Sequence, residues 1–243
     1  MKKLFAALVA LALFFAACAM AEEFQISCEY EYNVLSDGTA EITGYNGNAE
    51  TLDIPSVIDG YVVSGISSFA FNACYLTSVT IPEGVTVIED SAFSDCVRLV
   101  SVKLSGSITS IGRGMFRNCD SLTSVTIPEC VNEIGNEAFH GCVNLESVAI
   151  PEGVTRIGDW MFYECRMLES VTIPESVTVI GDYAFYGCES LSSVTIPGSV
   201  KSIGYCAFAQ CVNLASVTML DGVEAIGTVE AKGFLYELIR LPP

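Results

Sequence analysis

Apolar and polar positions along this chain follow a pattern that recurs every 23 residues. In each repeat a leucine is followed three residues later by a valine and five residues later by a second aliphatic residue, with polar side chains between them. The leucines are Leu76, Leu99, Leu122, Leu145, Leu168, Leu191 and Leu214. The valines are Val79, Val102, Val125, Val148, Val171, Val194 and Val217, and the second aliphatic residues are Ile81, Leu104, Ile127, Ile150, Ile173, Ile196 and Met219. A fixed period of this length indicates a solenoid, in which each repeat buries its apolar side by stacking on its neighbours.

Each repeat predicts one coil of chain that begins with a short strand. Its Ser-Val-Thr-Ile segment alternates with period two and is β-branched, so Val and Ile point inward while Ser and Thr point outward. A proline, which cannot donate to a strand ladder, ends the strand in most repeats. These prolines are Pro82, Pro128, Pro151, Pro174 and Pro197. The coils should therefore stack these strands about 4.8 Å apart in a parallel sheet.

The rest of each repeat predicts a second apolar run, V-x-x-I, a glycine and then a short helical or 3-10 turn. Acidic or amide residues stand two positions before an Ala-Phe pair or its equivalent, where they suit helix N-caps. These residues are Asp90, Asn136, Asp159 and Asp182. We expect the helical turn to carry the phenylalanine of each repeat into the core.

The two ends of the chain depart from the repeat. Residues 24–45 predict two alternating strands around Ser36-Asp37-Gly38, a hairpin that would cover the apolar end of the stack. At the other end, Phe234, Leu235, Leu238 and Leu241 follow helical spacing and form either an atypical cap or the truncated end of a longer array. The expected organisation is a signal peptide (1–21), an N-terminal β cap with a lead-in coil (22–60), the solenoid (61–227) and an atypical C-terminal segment (228–243).

The first 21 residues predict export. Lys2 and Lys3 precede an apolar run over residues 4–17, and Ala19-Met20-Ala21 offers a cleavage site, which is the order of a secretory signal peptide. A second interpretation is a bacterial lipobox in which Cys18 is acylated and becomes the new N-terminus. Both interpretations predict a secreted or cell-surface protein.

Charge and composition exclude several classes of function. The chain has 11 Lys+Arg against 29 Asp+Glu, a net charge of −18, which argues against nucleic-acid backbones and anionic lipid surfaces as partners. His140 is the single histidine and no nucleophile motif or phosphate loop occurs, so we expect no catalysis and no cofactor.

The repeat L-x-S-V-T-I-P-x-x-V-x-x-I-G-x-x-A-F-x-x-C resembles the BspA-like, or Treponema pallidum-type, leucine-rich repeat over about residues 40–227. The resemblance implies a leucine-rich-repeat solenoid that serves as a secreted or surface-attached adhesion and recognition module. It also implies extracellular-matrix or host-surface proteins as the kind of partner.

Seven cysteines occupy one position of the repeat. They are Cys74, Cys96, Cys119, Cys142, Cys165, Cys188 and Cys211. We favour reduced, buried thiols that donate to turn carbonyls over disulfides between adjacent coils. No zinc site is expected because no two cysteines stand as C-x-x-C. Cys28, Cys130 and Cys206 lie elsewhere, and Cys130, at a turn position, is the expected exposed thiol.

The outward strand positions form two rows, and all of them except Ala149 make up the candidate binding face. The outward positions are Ser78, Thr80, Ser101, Lys103, Ser124, Thr126, Ser147, Ala149, Ser170, Thr172, Ser193, Thr195, Ser216 and Thr218. Small hydroxyl residues suit any crowded, solvated sheet, but a regular hydroxyl surface also suits a glycan or a peptide strand. The leading hypothesis is adhesion to an extracellular protein or glycan through this face. The alternative is a structural role, in which the C-terminal coil stacks on another copy or on a longer polypeptide.

An acidic row follows the proline position. It consists of Glu83, Glu129, Glu152, Glu175 and Asp221. These carboxylates could gather Ca²⁺ or face a basic partner, but solvated turn residues explain them as well, and no calcium-loop motif is present. We therefore expect no metal site.

Overall fold

The computed structural model describes residues 29–227. These residues form one uninterrupted stack of coils, with a row of strands along each of two sides. The predicted signal peptide, the Cys18 lipidation site and residues 228–243 lie outside the described residues. The first row of strands is β3 (Thr51–Asp53), β6 (Ser78–Thr80), β8 (Ser101–Lys103), β10 (Ser124–Thr126), β12 (Ser147–Ala149), β14 (Ser170–Thr172), β16 (Ser193–Ile196) and β18 (Ser216–Met219). These strands pair in parallel from β3 to β14 and from β16 to β18, and β14 lies beside β16.

The V-x-x-I segments form a second row of strands. This row is β5 (Tyr61–Ile66), β7 (Val87–Ile88), β9 (Ser110–Ile111), β11 (Glu133–Ile134), β13 (Arg156–Ile157), β15 (Val179–Ile180), β17 (Ser202–Ile203) and β19 (Ala225–Ile226). The sequence predicted an apolar run here but not a strand. Its strands are short because the chain turns at the glycine that follows the isoleucine.

The predicted N-terminal hairpin cap is present. Strands β1 (Tyr30–Val34) and β2 (Ala40–Tyr45) pair antiparallel, and β2 pairs in parallel with β5, while β4 (Val57–Ile58) pairs antiparallel with β5. Tyr30 and Ile42 are buried in the common core. The Tyr45 ring lies 5.5 Å from that of Phe71, so the cap covers the first coil.

The third side contains turns instead of the predicted helical segments: residues 29–227 include no helix. Each coil here has two residues with positive φ, such as Trp160 (59°) and Glu164 (55°), which are incompatible with a right-handed helix. Successive amides therefore point along the stack. The amide of Phe139, for example, donates to the carbonyl of Met161 in the next coil at 3.0 Å.

The expected N-cap residues consequently have a different role. The Asp90 carboxylate accepts the amide of Arg113 at 2.7 Å, and Asp182 accepts that of Tyr205 at 2.6 Å, in each case one coil away. Asn136 and Asp159 bridge to the next coil in the same way. These side chains join neighbouring coils instead of starting helices.

The core contains one row of stacked phenylalanine rings along the axis, beside the buried leucine, valine, isoleucine and cysteine columns. Seven phenylalanine rings, one from each coil, stack with centroids 4.9–6.1 Å apart. They are Phe71, Phe93, Phe116, Phe139, Phe162, Phe185 and Phe208. The glycine of the Ile-Gly pair allows this close stacking, because a Cβ added at Gly181 would lie 2.7 Å from the backbone nitrogen of Asp159.

Candidate functional site

The first row of strands presents its serine and threonine side chains on one outward surface, which we call the strand face. Parallel pairing in one register places Ser78, Ser101, Ser124, Ser147 and Ser170 side by side. Beyond them, Ser193 pairs with Ser216. The valine after each serine points inward, as predicted from the alternation. Strand pairing thus aligns the serines from Ser78 to Ser170 and again from Ser193 to Ser216.

A second line runs parallel to the serines, two residues further along each strand. Thr80, Lys103 and Thr126 lie in register, as do Ala149 with Thr172 and Thr195 with Thr218. All positions of the two lines are exposed except Ser78 and Thr80, which are half-buried. The candidate residues predicted from the sequence are therefore brought together on one accessible surface.

The chemistry of the strand face is that of hydroxyl groups and one cation. The Ser101 hydroxyl donates to that of Ser78 at 3.2 Å, and Lys103 is the single charged side chain among the fourteen positions. Hydroxyls both donate and accept hydrogen bonds. This arrangement can contact the polar groups of a partner along many coils.

All five carboxylates of the acidic row are exposed, and one of them, Glu83, also stabilises a turn. Glu83 accepts hydrogen bonds from the amide of Gly106 at 3.2 Å and the hydroxyl of Ser107 at 3.1 Å. These bonds lower the pKa of Glu83 below its ordinary value and hold the turn that has Ser105 instead of proline. Within residues 29–227, no three His, Cys, Asp or Glu side chains cluster as metal ligands would.

The cysteine position is buried from the second coil of the column onward, as expected. Each of these sulfurs donates to the phenylalanine carbonyl of the preceding coil, for example Cys142 to Phe116 at 3.0 Å and Cys165 to Phe139 at 3.1 Å. Burial raises the pKa of the Cys96 thiol to about 12. Cys130 is exposed, as predicted, although its sulfur lies 3.0 Å from the carbonyl oxygens of Gly106 and Ile108.

A group of aromatic side chains on the turn side was not predicted from the sequence. His140, Trp160, Tyr163, Tyr183 and Tyr186 lie against one another with ring centroids 4.4–6.3 Å apart. The available signal was the 23-residue spacing of Trp160 from Tyr183 and of His140, Tyr163 and Tyr186 from one another.

Comparison with known families identifies the repeat. Residues 64–188 and 161–230 match the family model for the BspA type leucine rich repeat region, which is found in six copies. The chain belongs to the BspA-type leucine-rich repeat family. No curated protein matches the chain. Within residues 29–227, this family member has no helix long and apolar enough to cross a bilayer.

Three solved structures show what this BspA-type protein is similar to. A leucine rich cell surface protein from Faecalibacterium prausnitzii is 40% identical with a TM-score of 0.72, over 79% of this chain and 53% of that one. A leucine-rich repeat protein from Bacteroides ovatus is 35% identical with a TM-score of 0.75, over 82% and 54%. The T. pallidum leucine rich repeat protein is 30% identical with a TM-score of 0.71, over 77% and 89%. The chain thus spans about half the length of the first two.

Proposed function

We propose that this BspA-type protein is an exported, non-catalytic binding module that adheres to an extracellular protein or glycan through its strand face. The observation that carries this proposal is the exposed line of hydroxyl side chains held in one register along the first row of strands. Repeat proteins commonly bind partners over such an extended surface. The similar protein from Faecalibacterium prausnitzii is described as a cell surface protein, which supports an extracellular location.

The route of export belongs to the same proposal. The charged, apolar and small-residue segments of residues 1–21 favour cleavage after Ala21 and secretion. Acylation at Cys18 would instead retain the protein at the cell surface, which is equally compatible with adhesion.

The proposal is tested by obstructing the strand face. We expect the triple variant Thr126→Arg, Thr172→Arg, Thr195→Arg to lose binding at least ten-fold, because three long charged side chains would hold a partner away from the hydroxyl lines. The unaltered chain is first probed against arrayed matrix proteins and glycans at physiological salt, and its binders are then measured with the variant.

A matched control alters the same residue type on a different side of the coils. Thr109, Thr155 and Thr178 are also exposed, and replacing all three with arginine changes the net charge equally. Binding of this control should stay within two-fold of the unaltered chain. Equal losses in the two variants, or the absence of any binder among the arrayed molecules, would contradict the proposal.

A structural role is the second candidate, and the last described coil favours it. Met219 is half-buried and Ile226 exposed, whereas the equivalent Ile196 and Ile203 are buried. Stacking of another chain on this coil would bury them. Size-exclusion chromatography of the same samples distinguishes this role: it predicts growth with concentration that disappears when residues 228–243 are replaced by a polar cap.

A further inference from the structure

The turn side of the solenoid has a compact aromatic surface in its C-terminal half. We define the aromatic block as Trp160, Tyr163, Tyr183 and Tyr186, which are all half-buried. Trp160 stacks on Tyr183 at 4.4 Å, and Tyr163 stacks on Tyr186 at 4.9 Å. The block thus has two columns of two rings, and the two rings of a column come from adjacent coils.

The fold does not require aromatic side chains at these positions. The position of Trp160 is occupied by Ser91 and Gly114 in earlier coils, and the position of Tyr163 by Ser94. Those coils keep the hydrogen bonds to their neighbours, such as the Ser91 amide to the Arg113 carbonyl at 2.8 Å. Stacking of the coils therefore does not explain the block, and a partly exposed cluster of aromatic side chains is a candidate interaction site.

The four rings remain partly accessible to solvent, although each column stacks its rings face to face. Within a column the rings are close to parallel, whereas the planes of Trp160 and Tyr163 are tilted by 42° and those of Tyr183 and Tyr186 by 59°. Ring faces carry negative potential and attract cations, tryptophan most strongly.

Carboxylates outnumber cations at the edges of the block. They are Asp159, Asp182, Glu164 and Glu189, and the neighbouring cations are Arg156 and Arg166. Asp182 forms no ion pair among the described residues; its carboxylate accepts the Tyr205 amide instead. The charge around the rings thus favours a positively charged partner.

Arg117 lies near the other end of the same stack of rings, where its charge influences His140. His140 stacks on Tyr163 at 4.8 Å, and Arg117 occupies the equivalent position in the coil before His140. Burial and then the nearby Arg117 charge lower the pKa of His140. Arg117 is fixed by Glu137 at 2.9 Å.

We propose that the aromatic block binds arginine-bearing segments of a polypeptide partner, whose guanidinium groups pack on the rings and pair with the carboxylates around them. Arginine suits this site better than lysine, because its planar guanidinium stacks on aromatic faces and binds carboxylates through two parallel hydrogen bonds. This surface lies on the turn side, so the proposal is independent of binding by the strand face.

The single tryptophan of the chain reports on this site directly, because Trp160 belongs to the block. Titration with a hexa-arginine peptide at physiological salt should give a saturable change in tryptophan emission. The variant Tyr163→Ser, Tyr186→Ser should raise the dissociation constant at least five-fold, since serine already occupies this position at Ser94. The variant Tyr163→Phe, Tyr186→Phe retains the rings and should bind within two-fold of the unaltered chain.

The matched control removes two exposed tyrosines elsewhere, Tyr61→Ser and Tyr75→Ser, and should also bind within two-fold. A hexa-glutamate peptide should give no saturable change. Hexa-arginine binding that is equal in the block and control variants would mean diffuse attraction to an acidic surface and would overturn the proposal. So would the absence of a saturable change in the unaltered chain.

Discussion

Replacing Phe139 with alanine is expected to lower the free energy of unfolding by about 3–5 kcal/mol. The ring is completely buried and stacks between those of Phe116 at 5.7 Å and Phe162 at 5.5 Å. Alanine would leave a cavity in the middle of the core, and the backbone hydrogen bonds between coils would keep the walls from closing over it. Urea unfolding followed by circular dichroism measures the loss.

A tyrosine outside the core provides the comparison. Tyr75 is 73% exposed, so Tyr75→Ala should change stability by no more than about 0.5 kcal/mol. If Phe139→Ala costs less than about 1 kcal/mol, the row of stacked rings is not the core of this protein.

Raising the pH above 9 is expected to destabilise the fold steeply under reducing conditions. Burial is the main cause that raises the thiol pKa of six cysteines of the repeat. They are Cys74, Cys96, Cys119, Cys142, Cys165 and Cys188. In the unfolded chain these thiols ionise near their ordinary pKa of 9.0, while the folded chain keeps its protons.

The sign of the effect follows from this difference in bound protons. Because the folded-state pKa is the higher one, the contribution to stability is complete below the unfolded pKa and decreases as the pH rises through it. Each thiol should remove about 1.4 kcal/mol per pH unit between its unfolded and folded pKa values. Urea unfolding at pH 8, 9, 9.5 and 10 measures the slope.

A single substitution isolates the thiol contribution from that of other groups. Cys142→Ala removes one completely buried sulfhydryl and should make the alkaline slope shallower by about 1.4 kcal/mol per pH unit. Cys130→Ala changes an exposed thiol and should leave the slope unaltered. Stability that stays constant from pH 8 to pH 10 would contradict burial of the cysteine column.

The sequence predicted those features of the fold in which side-chain type repeats with the coil. Leu145, Val148 and Ile150 are buried because their positions are apolar in every repeat, and the hairpin cap followed from its turn residues. The prediction of a helical turn was wrong, because an acidic residue before an inward phenylalanine suits both a helix N-cap and a bridge to the next coil. Hydrogen bonds between residues 22–23 positions apart decide between the two, and local sequence does not specify them.

The two candidate sites differ in how much of each could be predicted from the sequence. The strand face was predictable residue by residue, since alternation in a strand fixes which side chains point outward. The aromatic block was not, because Trp160 and Tyr183 occupy a position that holds phenylalanine, serine, glycine, glutamate or cysteine in other coils. Aromatic residues that occur in only a few coils are not part of the repeat pattern, so the pattern does not predict them. Their rings come together only because those coils stack.

The central claim, that the coils stack in one register along a single axis, is tested most directly by spin-label distances along the strand face. Ser124→Cys, Ser101→Cys and Ser78→Cys are each paired with Ser216→Cys, after Cys28, Cys74 and Cys130 are replaced by serine. Four, five and six coil spacings separate these pairs, so double electron–electron resonance should give narrow distance distributions centred at about 19, 24 and 29 Å. Distances that do not increase with the number of intervening coils, or distributions too broad to rank, would contradict the stacked solenoid and the binding face that depends on it.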